Sequence, residues 1–253
     1  MRFSTLSLGG LLLVATATPA LAQEATAPPP AFTVTGGATV VSDYRFRGIS
    51  QTDLKAAVQG TFTITHSSGF YASVWGSSID DYVASGSDQE IDLIAGYSHT
   101  FAGGIKVDGG VLYYYYPGAG HVATDFVEPY IDVSATYGPV TTKLTANYAP
   151  KQQALSVGSG KEDNLYIAAD LSAAIPKTAF GVTAHLGHTF GPSYIAIGNN
   201  YSDWGLGATY TWNHITAGIS YVDTNRNSYI IDGLGHARNI TKAGVVASLG
   251  VAF

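Results

Sequence analysis

The last twelve residues, Lys242 to Phe253 (KAGVVASLGVAF), alternate in character one by one. In an extended strand Val245, Ala247, Leu249, Val251 and Phe253 fall on one face, and Lys242, Gly244, Ser248 and Gly250 on the other. A strand that is oily on one side and small or polar on the other suits a wall with lipid outside and water inside. The same period of two recurs about twelve times, over roughly 32–47, 56–66, 69–79, 89–101, 104–116, 125–137, 139–149, 163–175, 179–190, 201–213, 214–222 and 240–253. This repetition predicts an all-β chain in which strands pair with their neighbours in order and the last returns to the first.

The connectors alternate in length. Short ones lie at Ser67-Ser68, Gly103, Gly138-Pro139, Pro176-Lys177 and Asn213-His214. Longer polar ones span 48–55, 80–88, 117–124, 150–162, 191–200 and 223–239. Short turns on one side, long loops on the other and an even strand count are the marks of a transmembrane antiparallel up-and-down β-barrel with both termini periplasmic.

Residues 1–22 have the form of a secretory signal peptide: Met1-Arg2, an apolar stretch Leu6 to Ala15, and the small-x-small site Ala20-Leu21-Ala22. Residues 23–30 (QEATAPPP) read as a disordered periplasmic tail and 31–253 as the barrel. No later segment approaches the run of about 20 apolar residues that a membrane helix needs, yet mean hydropathy is +0.14 and only 12% of residues are charged. There is no cysteine, although an exported chain could form disulfides. Without Arg2 the mature chain keeps 11 basic and 18 acidic residues, a net charge of −7 that argues against nucleic acid as a partner.

The two faces differ sharply. The expected outer face carries Val34, Ala38, Val40, Tyr44 and Phe46 on the first strand, Val58, Phe62 and Ile64 on the second, and Ile91, Leu93, Ala95 and Tyr97 on the fourth. It continues with Val127, Ile131 and Val133, then Leu165, Ile167 and Leu171, then Trp204, Leu206 and Tyr210, with no charged residue among them. A cation at mid-bilayer on that face would cost about 2–4 kcal/mol, so this exclusion is expected. Aromatic residues gather at strand ends: Phe32, Phe70, Phe101, Tyr137, Phe180, Trp212 and Phe253 by the short turns, and Tyr44, Phe46, Tyr113, Tyr115, Tyr148, Phe190, Trp204 and Tyr221 by the long loops. They form two girdles, one for each headgroup layer.

Charge is assigned to the inner face. Asp43, Arg45, Arg47, Glu90, Asp92, Lys106, Asp108, Glu128, Asp132, Lys143, Asp170 and Lys242 are the expected pore-lining residues, in an interior that is polar rather than a packed apolar core. Arg45, Arg47 and Lys242 would lie opposite Glu90, Asp92 and Glu128, giving either a transverse field across an open lumen or a salt-bridged plug. Seven acids against five bases would give an open pore a weak cation preference. A barrel of about twelve strands, at about 4.8 Å spacing, has a wall roughly 24 Å across and about 10 Å of free width inside.

The stretches SDYRFRGISQTDLKAAVQG (42–60), GFYASVWGSSIDD (69–81), EIDLIAGY (90–97), GGVLYYYYPG (109–118) and EPYIDVSATYG (128–138) resemble the TorF-type family of proteobacterial outer-membrane porins. The resemblance covers about the first half of the mature chain and implies an outer-membrane barrel in a Gram-negative cell.

These readings converge on a porin-like channel for passive diffusion of ions and small polar solutes. The alternatives are a closed-lumen barrel that acts structurally or binds a ligand through its loops, and a hydrolase at the rim built from Asp80, Asp81, His121 and His236. Expected partners are outer-membrane lipid and lipopolysaccharide, the solutes themselves, and the barrel-assembly machinery, which would take hold of the closing strand through Phe253; a homo-oligomer stays open. No cofactor, metal or catalytic residue is assigned. His185 and His188 fall on opposite faces of a strand, which separates them. Tyr114 and Tyr116 point inward, where they could stack a sugar or simply form part of the rim.

Overall fold

The computed structural model describes residues 30–231 and 235–253. The expected signal peptide and nearly all of the tail lie outside the described residues.

Twelve strands form one closed antiparallel barrel. They are β1 (Phe32–Val41), β2 (Ala57–His66), β3 (Phe70–Ser78), β4 (Gln89–Thr100), β5 (Ile105–Tyr115), β6 (Phe126–Tyr137), β7 (Val140–Gln152), β8 (Glu162–Ala174), β9 (Phe180–Phe190), β10 (Tyr201–Trp212), β11 (Ile215–Thr224) and β12 (Gly244–Ala252). Each pairs with its sequence neighbours, and β12 closes on β1 with Gly37 opposite Ala252 and Val41 opposite Ser248. Closure gives the backbone amides of the wall partners within the sheet, the condition for crossing lipid with strands. Short turns and both described chain ends share one rim, and the long loops share the other.

The register puts the apolar set outside, as the alternation predicts: Phe62, Leu93, Ile131, Ile167, Leu206, Ile219 and Leu249 are exposed on the wall. Five rings of the long-loop girdle are exposed, and three of them, Tyr113, Tyr148 and Tyr221, donate their hydroxyls to Asp125, Asp163 and Asp223, tying the girdle to an acidic rim.

Two expectations fail at the long-loop end. β1 stops at Val41 instead of continuing to 47, so Tyr44 and Phe46 are not on the lipid face but buried inside. The chain turns into the lumen and forms a small hairpin in which Arg45–Phe46 pairs with Ile49–Ser50. Its turn residues Arg47 and Gly48 have φ of 47° and 81°, the left-handed pair of a two-residue hairpin turn. A Cβ on Gly48 would stand 2.8 Å from Thr224 Cγ2 and 2.9 Å from Asp203 Cβ, so the tip also needs glycine for its close approach to β10 and β11.

The second failure follows from the first. The lumen at this end holds a packed apolar cluster in which Tyr44 and Phe46 of the loop meet Trp75, Ile94, Leu112, Tyr114, Phe126 and Leu155 of the wall and neighbouring loops. Tyr114 stacks on Phe126 at 4.2 Å and Tyr44 meets Trp75 edge-on at 5.4 Å. Such contacts make this half of the interior a core as well as a polar space.

Candidate functional site

The hairpin, through Arg47, crosses the lumen. It springs from β1, its tip lies against β10 and β11, and from there the Arg47 side chain reaches β6 and β8 across the ring of twelve. Arg47 Nη2 donates to both oxygens of Glu128, at 2.7 and 2.8 Å, and Nη1 donates to Asn164 Oδ1 at 3.0 Å. Both side chains of this ion pair are 0% exposed. Tyr114 Oη and Asn147 Nδ2 donate to Glu128 as well, and the Arg47 guanidinium lies between the Phe46 and Tyr166 rings, at 4.7 and 4.2 Å. Burial works against the Arg47 charge, but Glu128 outweighs it and holds the guanidinium protonated more firmly than in water.

Other loops clamp the hairpin from above. Ser50 N–H donates to Ile240 O and Asp80 N–H to Gln51 O; Tyr82 Oη donates to Ser50 O. Arg238 reaches Asp53 at 2.6 Å. The loops also hold one another, since Arg226 donates to Ile197 O and Tyr194 to the Tyr82 and Val83 carbonyls. Asp80 is raised in pKa by burial and by Asp81, with Lys55 acting against both.

Below the hairpin the lumen has two unlike sides. From β5 to β10 runs a strip of partnered charge: Lys106 with Asp108 at 3.3 Å, Lys143 with Asp170 at 3.1 Å, and His185 between Asp170 and Asp203 at 2.7 and 2.9 Å. Asp132 belongs to this strip and accepts from Thr145 Oγ1. From β11 through β12 and β1 to β2, no charged residue points inward. Thr39, Thr216, Ser220 and Ser248 line this side and are half-exposed, interleaved with Gly37, Gly218 and Gly250. Short side chains leave room on this side, and the charged strip is partly exposed as well, with Lys106, Lys143, Asp170 and His185 at 19–30%.

Most of the expected inward charges are therefore inside, in two groups. Arg47 and Glu128 meet in the upper, packed half, where Glu90 accepts from Tyr44 and Asp92 is buried with Oδ1 unpartnered among the described residues. Lys106, Asp108, Asp132, Lys143 and Asp170 occupy the strip. Asp43 and Arg45 pair with each other on the inward-turning loop, at 2.5 Å, rather than on the wall. Lys242 is a correction: it precedes β12 in an exposed rim turn rather than standing on the inner wall, and its carbonyl accepts from Arg45. Of the two expected arrangements, Arg47 and Glu128 take the salt-bridged one rather than standing as opposed rows across an open lumen, and Lys242 lies in the rim turn.

Asp203, which His185 joins to Asp170 across β8, β9 and β10, escaped the sequence argument, and His185 entered it only as a metal ligand to be rejected; their inward parity was the signal that could have joined them. Tyr114 and Tyr116 are buried by protein rather than free to stack a sugar. His185 faces the lumen, while His188 bonds Ser202 on the other face. Among the described residues, no three His, Asp or Glu are grouped to hold a metal.

The fold has known counterparts. A NanC porin superimposes with a TM-score of 0.56 at 13% identity, covering 87% of this chain and 99% of its own. A KdgM porin, solved in complex with disordered oligogalacturonate, gives 0.56 at 9%, covering 87% and 98%. The COG4313 outer membrane channel from Pseudomonas putida F1 gives 0.52 at 10%, covering 92% and 98%. At these identities the likeness is one of fold. No curated protein matches by sequence. The model of a family described as "Bacterial protein of unknown function (Gcw_chp)" matches residues 22–253, and the chain belongs to that family.

Proposed function

We propose that this protein is an outer-membrane channel through which ions and small polar solutes diffuse along the neutral Ser/Thr/Gly wall, with the hairpin of loop 42–56 as its constriction. The observation that carries this reading is the half-solvated small-residue wall inside a closed barrel. The porin fold and the TorF-type resemblance support it, and with it the placement of the long loops outside the cell and both termini in the periplasm.

Inward acids outnumber inward bases and most bases are already paired, so the expected solutes are neutral or cationic. A polyanion of the oligogalacturonate kind named with the KdgM neighbour would find no row of free cations here. The reading is a non-enzymatic one, in keeping with the porin fold.

Single-channel recording of purified protein in planar bilayers tests it. The expected result is a small conductance with weak cation preference, shifted toward anions by Asp132→Lys and Asp170→Lys. High salt should shrink that shift, because the Debye length falls from about 10 Å at 0.1 M to about 3 Å at 1 M. Reversal potentials unmoved by both substitutions would remove the charged strip from the path.

A second reading, a closed barrel with a structural or loop-borne binding role, is favoured by the hairpin that spans the lumen through Arg47 and the interlocked loops above it. Zero conductance in the wild type, with steps appearing when residues 44–51 are replaced by a short Gly/Ser link, would establish that reading instead.

A further inference from the structure

The barrel wall has a notch at its seam. β1 and β12 part at Val41 and Ser248, after which Ser42 N–H still donates to Ala247 O at 2.8 Å and Ala247 N–H to Ser42 Oγ at 2.9 Å. Above that point Gly244, Val245 and Val246 pair with β11 alone. Ala247 turns its amide and carbonyl toward β1, and alternate residues of a strand do the same, so Val245 turns its own toward a place where no strand stands.

The space left by the inward turn of the chain is about 340 Å³, lined by Ser42, Asp43, Arg45, Leu54, Val245 and the Lys242 turn. It is a gap through the upper edge of the wall, bordered on the lipid side by exposed Val245 and on the inner side by Gly244 and Arg45. Val245 lies opposite Tyr221, an exposed ring of the long-loop girdle, which sets the notch at headgroup height.

Its chemistry is cationic. The Asp43 carboxylate is consumed by Arg45 Nε at 2.5 Å, Ser50 Oγ at 2.6 Å and Thr52 Oγ1 at 3.2 Å. Arg45 Nη1 donates to the Gly48 and Lys242 carbonyls, both at 3.0 Å. Nη2 donates to nothing among the described residues and stands 3.0 Å from where a Cβ of Gly244 would be, although Arg45 is only 7% exposed. Lys242 is exposed and makes no ion pair among the described residues. The free guanidinium nitrogen and the Val245 amide thus border one space whose lining includes Lys242, and Asp43, Arg45 and Lys242 together leave a surplus of one positive charge.

We propose that this notch binds a phosphate group of an outer-leaflet glycolipid, whose acyl chains then run down the apolar seam over Val40 and Leu249. The proposal rests on the outer-membrane reading above. A lipid suits the notch better than a free anion because exposed Val245 borders the gap on the lipid side and Leu54 flanks it. Phosphate satisfies both the cations and the unpaired strand edge, which hydrocarbon alone would leave exposed at a cost.

Native mass spectrometry of the full chain, titrated with diphosphoryl lipid A and with its dephosphorylated form, tests it. The wild type should retain the phosphorylated lipid. Lys242→Gln should weaken retention by about tenfold and Lys242→Glu should remove it, whereas Lys161→Gln, at an exposed lysine outside the notch, should change nothing. Equal retention of the dephosphorylated lipid, displacement by inorganic phosphate, or unchanged binding to Lys242→Glu would overturn the proposal. Conductance recorded on the same samples separates the two ideas: conductance without retention sinks only the notch, and retention without conductance sinks only the channel.

Discussion

Arg47 is held in a left-handed backbone conformation that a non-glycine residue adopts at some cost, and its side chain is fully enclosed. Its ion pair with Glu128 makes that conformation tolerable. Removing one partner strands the other's charge in a dry site, so Arg47→Ala should lower barrel stability by about 3–5 kcal/mol, read as an earlier heat-induced shift on semi-native gels. Arg47→Met combined with Glu128→Leu should recover most of the loss, because no buried charge is left over. If the single and double variants unfold together, the ion pair does not secure the hairpin. The sequence marked both residues as inward, but nothing local joins them: they are 81 positions apart, and the left-handed turn that aims Arg47 is invisible to alternation.

At the scale of the strand, the face assignment carries energetic consequences. Leu93 and Ile131 sit on the bare outer wall, and arginine at either should cost about 2–4 kcal/mol if they lie near mid-bilayer. Ser220→Arg, one residue from outward Ile219 but facing the water-accessible side, should cost far less. The comparison is an equilibrium folding measurement into lipid vesicles, and a reversed order would mean a register shifted by one residue. Not every inward position is forgiving. Ile94 is part of the apolar cluster under the hairpin, so a polar side chain there loses packing that the alternation pattern did not foresee.

For the whole molecule, the seam that closes the barrel includes Phe253. Phe253 N–H donates to Gly36 O at 2.9 Å and Gly36 N–H to Phe253 O at 3.0 Å, completing the seam at the short-turn end. A Cβ on Gly36 would stand 2.7 Å from Phe253 Cζ, so the ring lies on that glycine. Deleting Phe253 should lower the amount of folded protein in the outer membrane while export continues, because two ladder bonds and an interfacial ring are lost together. Normal amounts of SDS-resistant mutant would show that closure does not need it.

The alternation of oily and small residues determined the class of fold, the number of strands, their order and nearly all of their faces. Lipid enforces that pattern at every second residue, so each strand announces itself locally. What happens inside the barrel was decided only in three dimensions. The run from Val40 to Phe46 keeps its period of two, and nothing local tells whether the last part continues the wall or folds into the lumen. That choice was made by Arg47 finding Glu128, Gly48 fitting between Thr224 and Asp203, and the outer loops bonding to Gln51 and Ser50. Each is a contact between distant parts of the chain, and closing the barrel is what brought them within reach.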